Sequence, residues 1–225
     1  MIAFIDSDSL CYAVGFSSND TSETLAVSRL EQTMVELCMN LDCDDYQGYL
    51  TGKTNFRYDI AKTVPYKGQR MSEKPIHLQA LRNHLMSSWG FIVVEGIEAD
   101  DMMGIKGTEF RDECIIVGID KDLLQIPGWH YNYRKHTKQY IDDFTGLVNF
   151  YTQILTGDRI DNIIGLKGIG PVKAKRILEE CTNENELYQA VLKAYEGDQQ
   201  RVVENGQLLW LQREVNQVWQ LPNLS

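Results

Sequence analysis

Four short apolar runs, at residues 2–5, 46–50, 91–94 and 115–117, are separated by longer stretches whose apolar residues recur every three or four positions. That alternation constrains the fold more than any other feature of the sequence. Apolar runs of this length read as strands buried on both faces. Between the first two, Val27, Leu30, Met34, Leu37, Cys38 and Leu41 line one face of a helix; Leu78, Leu81, Leu85 and Trp89 do the same before the third. Residues 100–110 fill the interval before the fourth. Strand–helix–strand repetition predicts an α/β fold, a mostly parallel central sheet flanked by helices. Residues 129–134 and 139–141 add short edge strands. After about Asp143 the pattern turns helical, at 152–155, 172–180, 184–195 and roughly 199–219. This predicts an α/β core over 1–143 and a helical region over 144–225, whose last helix packs back on the core. Residues 52–75, weakly periodic and rich in basic side chains, are expected to form a loop or short arch.

Composition excludes several classes. Hydrophobic content of 43% and charged content of 24% are ordinary for a globular chain. No apolar run approaches the roughly 20 residues that span a bilayer, and the opening Met-Ile-Ala-Phe-Ile-Asp lacks the basic segment of a signal peptide. Cys11, Cys38, Cys43, Cys114 and Cys181 are an odd, scattered set, against both a disulfide frame and structural zinc. His77, His84, His130 and His136 show no metal-ligand spacing. The expectation is a cytoplasmic monomer with no membrane partner.

Carboxylates follow the predicted strand ends. Asp6 and Asp8 follow the first, Glu98, Asp100 and Asp101 the third, and Asp120 and Asp122 the fourth; Asp158 and Asp161 open the helical region. In a parallel sheet all strand C-termini share one edge, so these residues are expected to converge. So many carboxylates cannot all stay ionised without counter-charge. Hard divalent cations supply it, which points to Mg²⁺ or Mn²⁺ rather than zinc. Two such ions ~3.5–4 Å apart can activate water and steady the leaving oxygen of a phosphodiester. For any single pair a helix cap or solvated loop end is the better reading; recurrence after successive strand ends favours the metal reading. A net charge of −10 looks wrong for a nucleic-acid partner, but this acidic set accounts for nearly all of it.

The basic residues are clustered. Lys53, Arg57, Lys62, Lys67, Arg70 and Lys74 lie along the loop with Tyr58 and Tyr66 interleaved, a pattern suited to phosphate and base contact. His130, Arg134, Lys135, His136 and Lys138 form a second group that reads equally well as a solvated face. Lys167, Lys173, Lys175 and Arg176 belong to Asn162-Ile-Ile-Gly-Leu-Lys-Gly-Ile-Gly-Pro-Val-Lys-Ala-Lys-Arg-Ile-Leu178, a helix–hairpin–helix pattern spanning 162–178. Gly165, Gly168 and Gly170 permit a tight turn and close backbone approach to a phosphate, and the N–H groups of the next helix face it. Pro171 suits a first helical position. Contacts of this kind position a duplex without reading its sequence.

Taken together, these motifs resemble the 5′-nuclease superfamily: flap endonucleases, bacteriophage 5′–3′ exonucleases and the 5′-nuclease domain of bacterial DNA polymerases. The resemblance extends over residues 6–192. It rests on Val64-Pro-Tyr-Lys-Gly-Gln-Arg70, Gly96-Ile-Glu-Ala-Asp-Asp-Met-Met-Gly104, Asp120-Lys-Asp122 (with Ile119 where the family has glycine) and Gly157-Asp-Arg-Ile-Asp-Asn-Ile163. It implies a PIN-like nuclease core with a helix–hairpin–helix subdomain. In it, Asp6, Glu98, Asp100, Asp101, Asp120, Asp122, Asp158 and Asp161 hold two divalent ions directly or through water. Lys67 and Arg70 contact the scissile phosphate; Tyr66, Gly165, Lys167, Gly168, Gly170, Lys173 and Lys175 contact DNA; and a potassium ion sits at the hairpin. The implied substrate is duplex DNA with a 5′ end, nick or flap, or an RNA–DNA hybrid, and the small size resembles a stand-alone phage enzyme.

One position departs from the family. An aspartate usual after the second strand, before a Phe-Arg pair, is replaced by Thr51 at or near that place. Asp8 is an extra carboxylate two residues after Asp6; if the chain is still extended there, Asp8 faces the same ion and restores the lost charge. Capping of the following helix by Asp8 is the equal alternative. For the whole chain, the alternatives to a 5′-nuclease are a catalytically silent DNA-binding protein of the same fold and a PIN-type single-strand ribonuclease.

Overall fold

Alternate side chains of the central strand, β1 (Ile2–Asp6), enter two different cores. Ala3 and Ile5 pack with Leu10, Leu30, Met34, Leu81 and Leu85 on one face, whereas Phe4 packs with Tyr49, Met103 and Ile116 on the other. The two-residue period of a strand requires this division. The computed structural model describes residues 1–69 and 73–222. Its main sheet adds β2 (Asp45–Asn55), β3 (Ile92–Gly96), β4 (Cys114–Val117), β5 (Gly128–Asn132) and β6 (Thr137–Ile141) in the order β3-β2-β1-β4-β5-β6. All neighbours are parallel except the β5–β6 edge hairpin, in which Trp129 faces Tyr140.

The helices are α1 (Ser7–Phe16), α2 (Glu23–Leu41), the short α3 (Arg57–Ile60), α4 (Leu78–Trp89) and α5 (Ala99–Phe110) in the core region. Helices α6 (Asp143–Thr156), α7 (Pro171–Leu178), α8 (Glu184–Ala194) and α9 (Gln199–Leu209) follow. A small ladder of β7 (Gly157–Asp158) and β8 (Ile163–Ile164) lies between α6 and α7. In α2, Ala26, Leu30, Met34 and Leu37 are the buried stripe, and the Ser22 hydroxyl caps the N-terminus by accepting from the Leu25 amide. Helices α1, α2 and α4 cover one face of the sheet and α5 the other. The later helices enclose a third core of Phe150, Tyr151, Ile154, Leu187, Val191 and Val202.

Boundaries differ from the sequence reading in several places. Strand β2 runs on to Asn55 and α3 occupies Arg57–Ile60, both inside the stretch 52–75 expected to be a loop. Helix α6 is 14 residues long, not the short segment at 152–155; Asp142 caps it and Phe150, Tyr151, Ile154 and Leu155 are its buried stripe. Helix α9 ends at Leu209 instead of running to about 219. The last carbonyls of a helix have no internal partner, and here the core takes them: Arg57 Nε donates to the Leu208 carbonyl at 2.8 Å and Gln125 Nε2 to that of Leu209 at 3.0 Å. The chain leaves α9 as an extended strap that packs back on the core, and Trp219 closes over Gly206 of the helix itself. Among the described residues, no helix is long and apolar enough to cross a membrane.

Candidate active site

Four chain segments deliver carboxylates to the C-terminal edge of the sheet. Asp6 ends β1, is 3% exposed, and caps α1 by accepting from the Ser9 amide at 3.2 Å. Asp100 lies in the first turn of α5, preceded by Glu98 at its cap. Asp120 follows β4 and accepts from the Asp122 amide at 2.9 Å. These groups repel one another. Burial, then the charges of Asp8 and Asp120, pushes Asp6 up to about 6. Burial, then Asp6, Asp120, Glu98 and Asp8, raises Asp100 well above the usual carboxylate range.

A second group lies beside the first. Burial, then Asp120, pushes Asp122 up to about 7. Gln153 Nε2 of α6 donates to it at 2.8 Å, while the Lys121 ammonium lies 2.7 Å from Asp122 and 3.5 Å from Asp158. Asp158 accepts from the amides of Ile160 and Asp161. Burial also raises Asp161, against the opposing pull of Lys67.

Tyr66 and Lys67 join the two groups. The Tyr66 hydroxyl lies 2.9 Å from Glu98 Oε2 and 2.8 Å from Asp161 Oδ2 and shares its single proton between them. Burial, with both carboxylates nearby, holds this phenol well above its ordinary range, so it stays a neutral donor. The Lys67 ammonium pairs with Glu98 and lies 3.7 Å from Asp161 Oδ1. Its amide donates to the Asp161 carbonyl at 2.8 Å, and Asn162 Nδ2 donates to the Pro65 carbonyl at 2.8 Å.

Several sequence expectations change here. Tyr66, expected to contact DNA, is 4% exposed and packs into the core of the later helices. Arg57, counted among the loop's basic residues, is 1% exposed. Its guanidinium clasps Asp101 at 2.6 and 2.8 Å. Asp101 also accepts from the Glu98 and Gln212 amides. Both of its oxygens are committed to these donors, so in this arrangement it stands as a buried structural anion. Asp8 does not sit on extended chain, because α1 begins at Ser7. Nor does it cap that helix, which Asp6 does. Instead one Asp8 oxygen pairs with Arg82 of α4 and the other accepts from the Thr51 amide at 2.7 Å, while Arg82 Nη2 donates to the Thr51 carbonyl at 2.7 Å. The Thr51 hydroxyl accepts from the Ala99 amide at 2.9 Å, at the start of α5. Arg70 lies outside the described residues. Lys121 and Gln153 escaped the sequence reading; Lys121 stands inside the Asp-Lys-Asp motif, but nothing local marks Gln153.

In the hairpin, Gly165 faces protein, not ligand: a Cβ there would lie 2.2 Å from the Thr156 carbonyl carbon. Gly168, at φ +76°, and Gly170 face open space, where a phosphate can approach the backbone. Lys167 and Lys175 are exposed, and Lys173 folds back to donate to the Gly168 carbonyl at 2.9 Å.

The donor set is all oxygen, which fits a hard divalent ion. Among the described residues, no three His, Cys, Asp or Glu side chains close into a protein-only cage. Mg²⁺ characteristically keeps several waters and takes one or two carboxylates, so an open arrangement suits it.

An open sheet edge lined with carboxylates, with a helical hairpin beside it, defines a nuclease of the phosphodiester-hydrolysing kind. Relatives agree. The chain is 30% identical over 216 residues to the 5′-3′ exonuclease of Mycoplasma genitalium, covering 82% of this chain and 73% of that protein. It is 28% identical over 208 residues to that of Mycoplasma pneumoniae, covering 78% and 70%. No family model matches the chain. Its fold is that of the bacteriophage T5 flap endonuclease, solved in a complex with DNA and metal ions, at a TM-score of 0.71 and 16% identity over 92% of this chain and 88% of that one. The chain belongs to the 5′-3′ exonuclease family.

Proposed function

We propose that this 5′-nuclease hydrolyses phosphodiester bonds near the 5′ ends of nicked or flapped DNA, or of RNA–DNA, using two Mg²⁺ or Mn²⁺ ions. The observation that carries the reading is the seat of Lys67, whose ammonium reaches both Glu98 of the first carboxylate group and Asp161 of the second. Asp6, Asp100, Asp120 and Glu98 are assigned to one ion, and Asp122, Asp158 and Asp161 to the other. Bound ions supply the counter-charge for these carboxylates and an activated water.

The chain's own groups do the rest. Lys67, and by the family resemblance Arg70, stabilise charge developing on the scissile phosphate. Tyr66 holds Glu98 and Asp161 in place as a neutral donor. Asp101 and Asp8 act as supports. Gly168, Gly170 and the N-terminal amides of α7, with Lys167, Lys173 and Lys175, hold the duplex phosphates. The hairpin turn is also where the potassium ion implied by the resemblance belongs.

Cleavage of end-labelled flap, nicked-duplex and single-stranded substrates with Mg²⁺ tests this reading. The expected result is short products released from the 5′ end of flap and nicked duplexes. DNA binding without cleavage indicates a silent DNA-binding protein, and cleavage of single-stranded RNA alone a ribonuclease; either outcome overturns the proposal.

A further inference from the structure

Lys67 is held in a conformation that an isolated lysine disfavours. Its φ of +54° lies in the left-handed region, which a residue with a Cβ adopts only where its surroundings impose it. Part of that constraint comes from the hairpin side, through Asp161 and Asn162. A second set of contacts, from α9 far away in sequence, holds the segment just before Lys67. One oxygen of Glu204 accepts from the amides of Lys62 at 2.8 Å and Thr63 at 2.7 Å, and the other accepts from the Thr63 hydroxyl at 2.6 Å. Burial opposes ionisation of Glu204, but the Thr63 hydroxyl and the two amides outweigh it and hold the carboxyl below its usual range. The anchor is therefore an anion receiving three charge-assisted hydrogen bonds, the stronger class of such bonds.

The same turn of α9 also grips the strand that leads into the hairpin. Arg201 Nη2 and Asn205 Nδ2 both donate to the Ile164 carbonyl of β8, at 2.8 and 2.9 Å. Arg201 Nη1 lies 3.9 Å from Glu204. One polar turn thus fastens the limb that ends in Lys67 and the entry to the duplex-holding hairpin.

We propose that Glu204 is a positioning residue for Lys67: it anchors Lys62 and Thr63 so that α9 keeps the Lys67 ammonium in register with the hairpin. The inference rests on the reading of Lys67 as the group that meets the scissile phosphate. It assigns α9 a role in the chemical step through the backbone of residues 62 and 63, which Glu204 holds, and not through a contact of its own with the phosphate.

The test is single-turnover cleavage of a 5′-flap duplex at saturating enzyme and Mg²⁺ by Glu204→Ala, Lys67→Ala and the double variant. Misplacement by about 1 Å can cost on the order of a hundredfold, so Glu204→Ala is expected to slow cleavage by about ten- to a hundredfold. Duplex affinity and the Mg²⁺ midpoint should stay unchanged. With Lys67 already removed, Glu204→Ala should cost no more than about twofold, because the two act as one unit. If Glu204→Ala slows the Lys67→Ala enzyme by the same factor as the wild type, the effect is general loosening and the proposal is overturned. If Lys67→Ala alone cleaves normally, the reading of Lys67 fails and the inference falls with it. Should Glu204→Ala not fold, Thr63→Val, which removes one of the three bonds without touching α9, runs through the same cycle. A rate for Thr63→Val equal to wild type would then count against the anchor.

Discussion

Arg57 and Asp101 face each other through two parallel hydrogen bonds of 2.6 and 2.8 Å, with both side chains sealed from solvent. The pair ties three parts of the chain together. Arg57 also holds the carbonyls of Leu208 and Trp210, and Asp101 holds the amides of Glu98 and Gln212. Removing one partner of such a pair strands a buried charge, at about 3–5 kcal/mol. Asp101→Asn is therefore expected to lose about that much stability in urea unfolding, while folded variant at low temperature keeps its Mg²⁺ midpoint. A raised midpoint at unchanged stability would make Asp101 a ligand after all.

Asp8 supports a different prediction from that of an ion ligand. Its carboxylate joins α1 to Arg82 on α4 and to the Thr51 amide on β2, with both side chains of the ion pair largely buried. Hydrogen bonds to a charged group are worth about 1.5–3 kcal/mol each. Asp8→Ser should lower thermal stability accordingly and leave the Mg²⁺ dependence of cleavage unmoved, and adding Thr51→Asp should rescue neither. Recovery of a shifted metal titration by Thr51→Asp would restore Asp8 to the metal site.

Asp120 touches the other carboxylates by repulsion, contributing to the raised values of Asp6, Asp100 and Asp122. Asp120→Asn removes one charge from that cluster. Cleavage is expected to fall by orders of magnitude, while duplex binding persists through the hairpin and metal-free stability holds or rises. Gel-shift binding alongside single-turnover cleavage checks both halves, and near-normal cleavage would displace Asp120 from the site.

The pH dependence of metal binding has a definite sign. In the metal-free protein Asp6 and Asp122 are pushed up to about 6 and about 7. The native state therefore holds protons that the unfolded chain has released, and its stability declines as pH rises through those values. Divalent ions require the ionised forms and relieve the repulsion. Saturating Mg²⁺ should therefore raise Tm more at about pH 8 than at about pH 5. His130, whose burial pushes its ring down to about 4, destabilises the fold in acid with or without metal and cancels from the comparison. Equal shifts at the two pH values would remove the carboxylates from metal binding.

The sequence alone carried the strands, because apolar runs bounded by polar residues have few other solutions: β1, β3 and β4 fall within two residues of where their pattern put them, while β2 runs on past Leu50 to Asn55. It also carried the family, because Gly-Ile-Glu-Ala-Asp-Asp, Asp-Lys-Asp and the glycine hairpin are contiguous motifs. What it left open was the use to which each charge is put. Asp6, Asp8, Asp100 and Asp101 are indistinguishable as letters; whether one faces its fellows or an arginine depends on Arg57, Arg82 and Thr51, which arrive from other segments. The loop read as exposed and basic is folded inward at Arg57 and Tyr66 because distant partners, the Leu208 and Trp210 carbonyls and the carboxylates of Glu98 and Asp161, satisfy their polar atoms on burial. Local periodicity reports burial of apolar side chains, which a short window contains. Pairing of buried charges is a long-range contact, which only the tertiary structure decides.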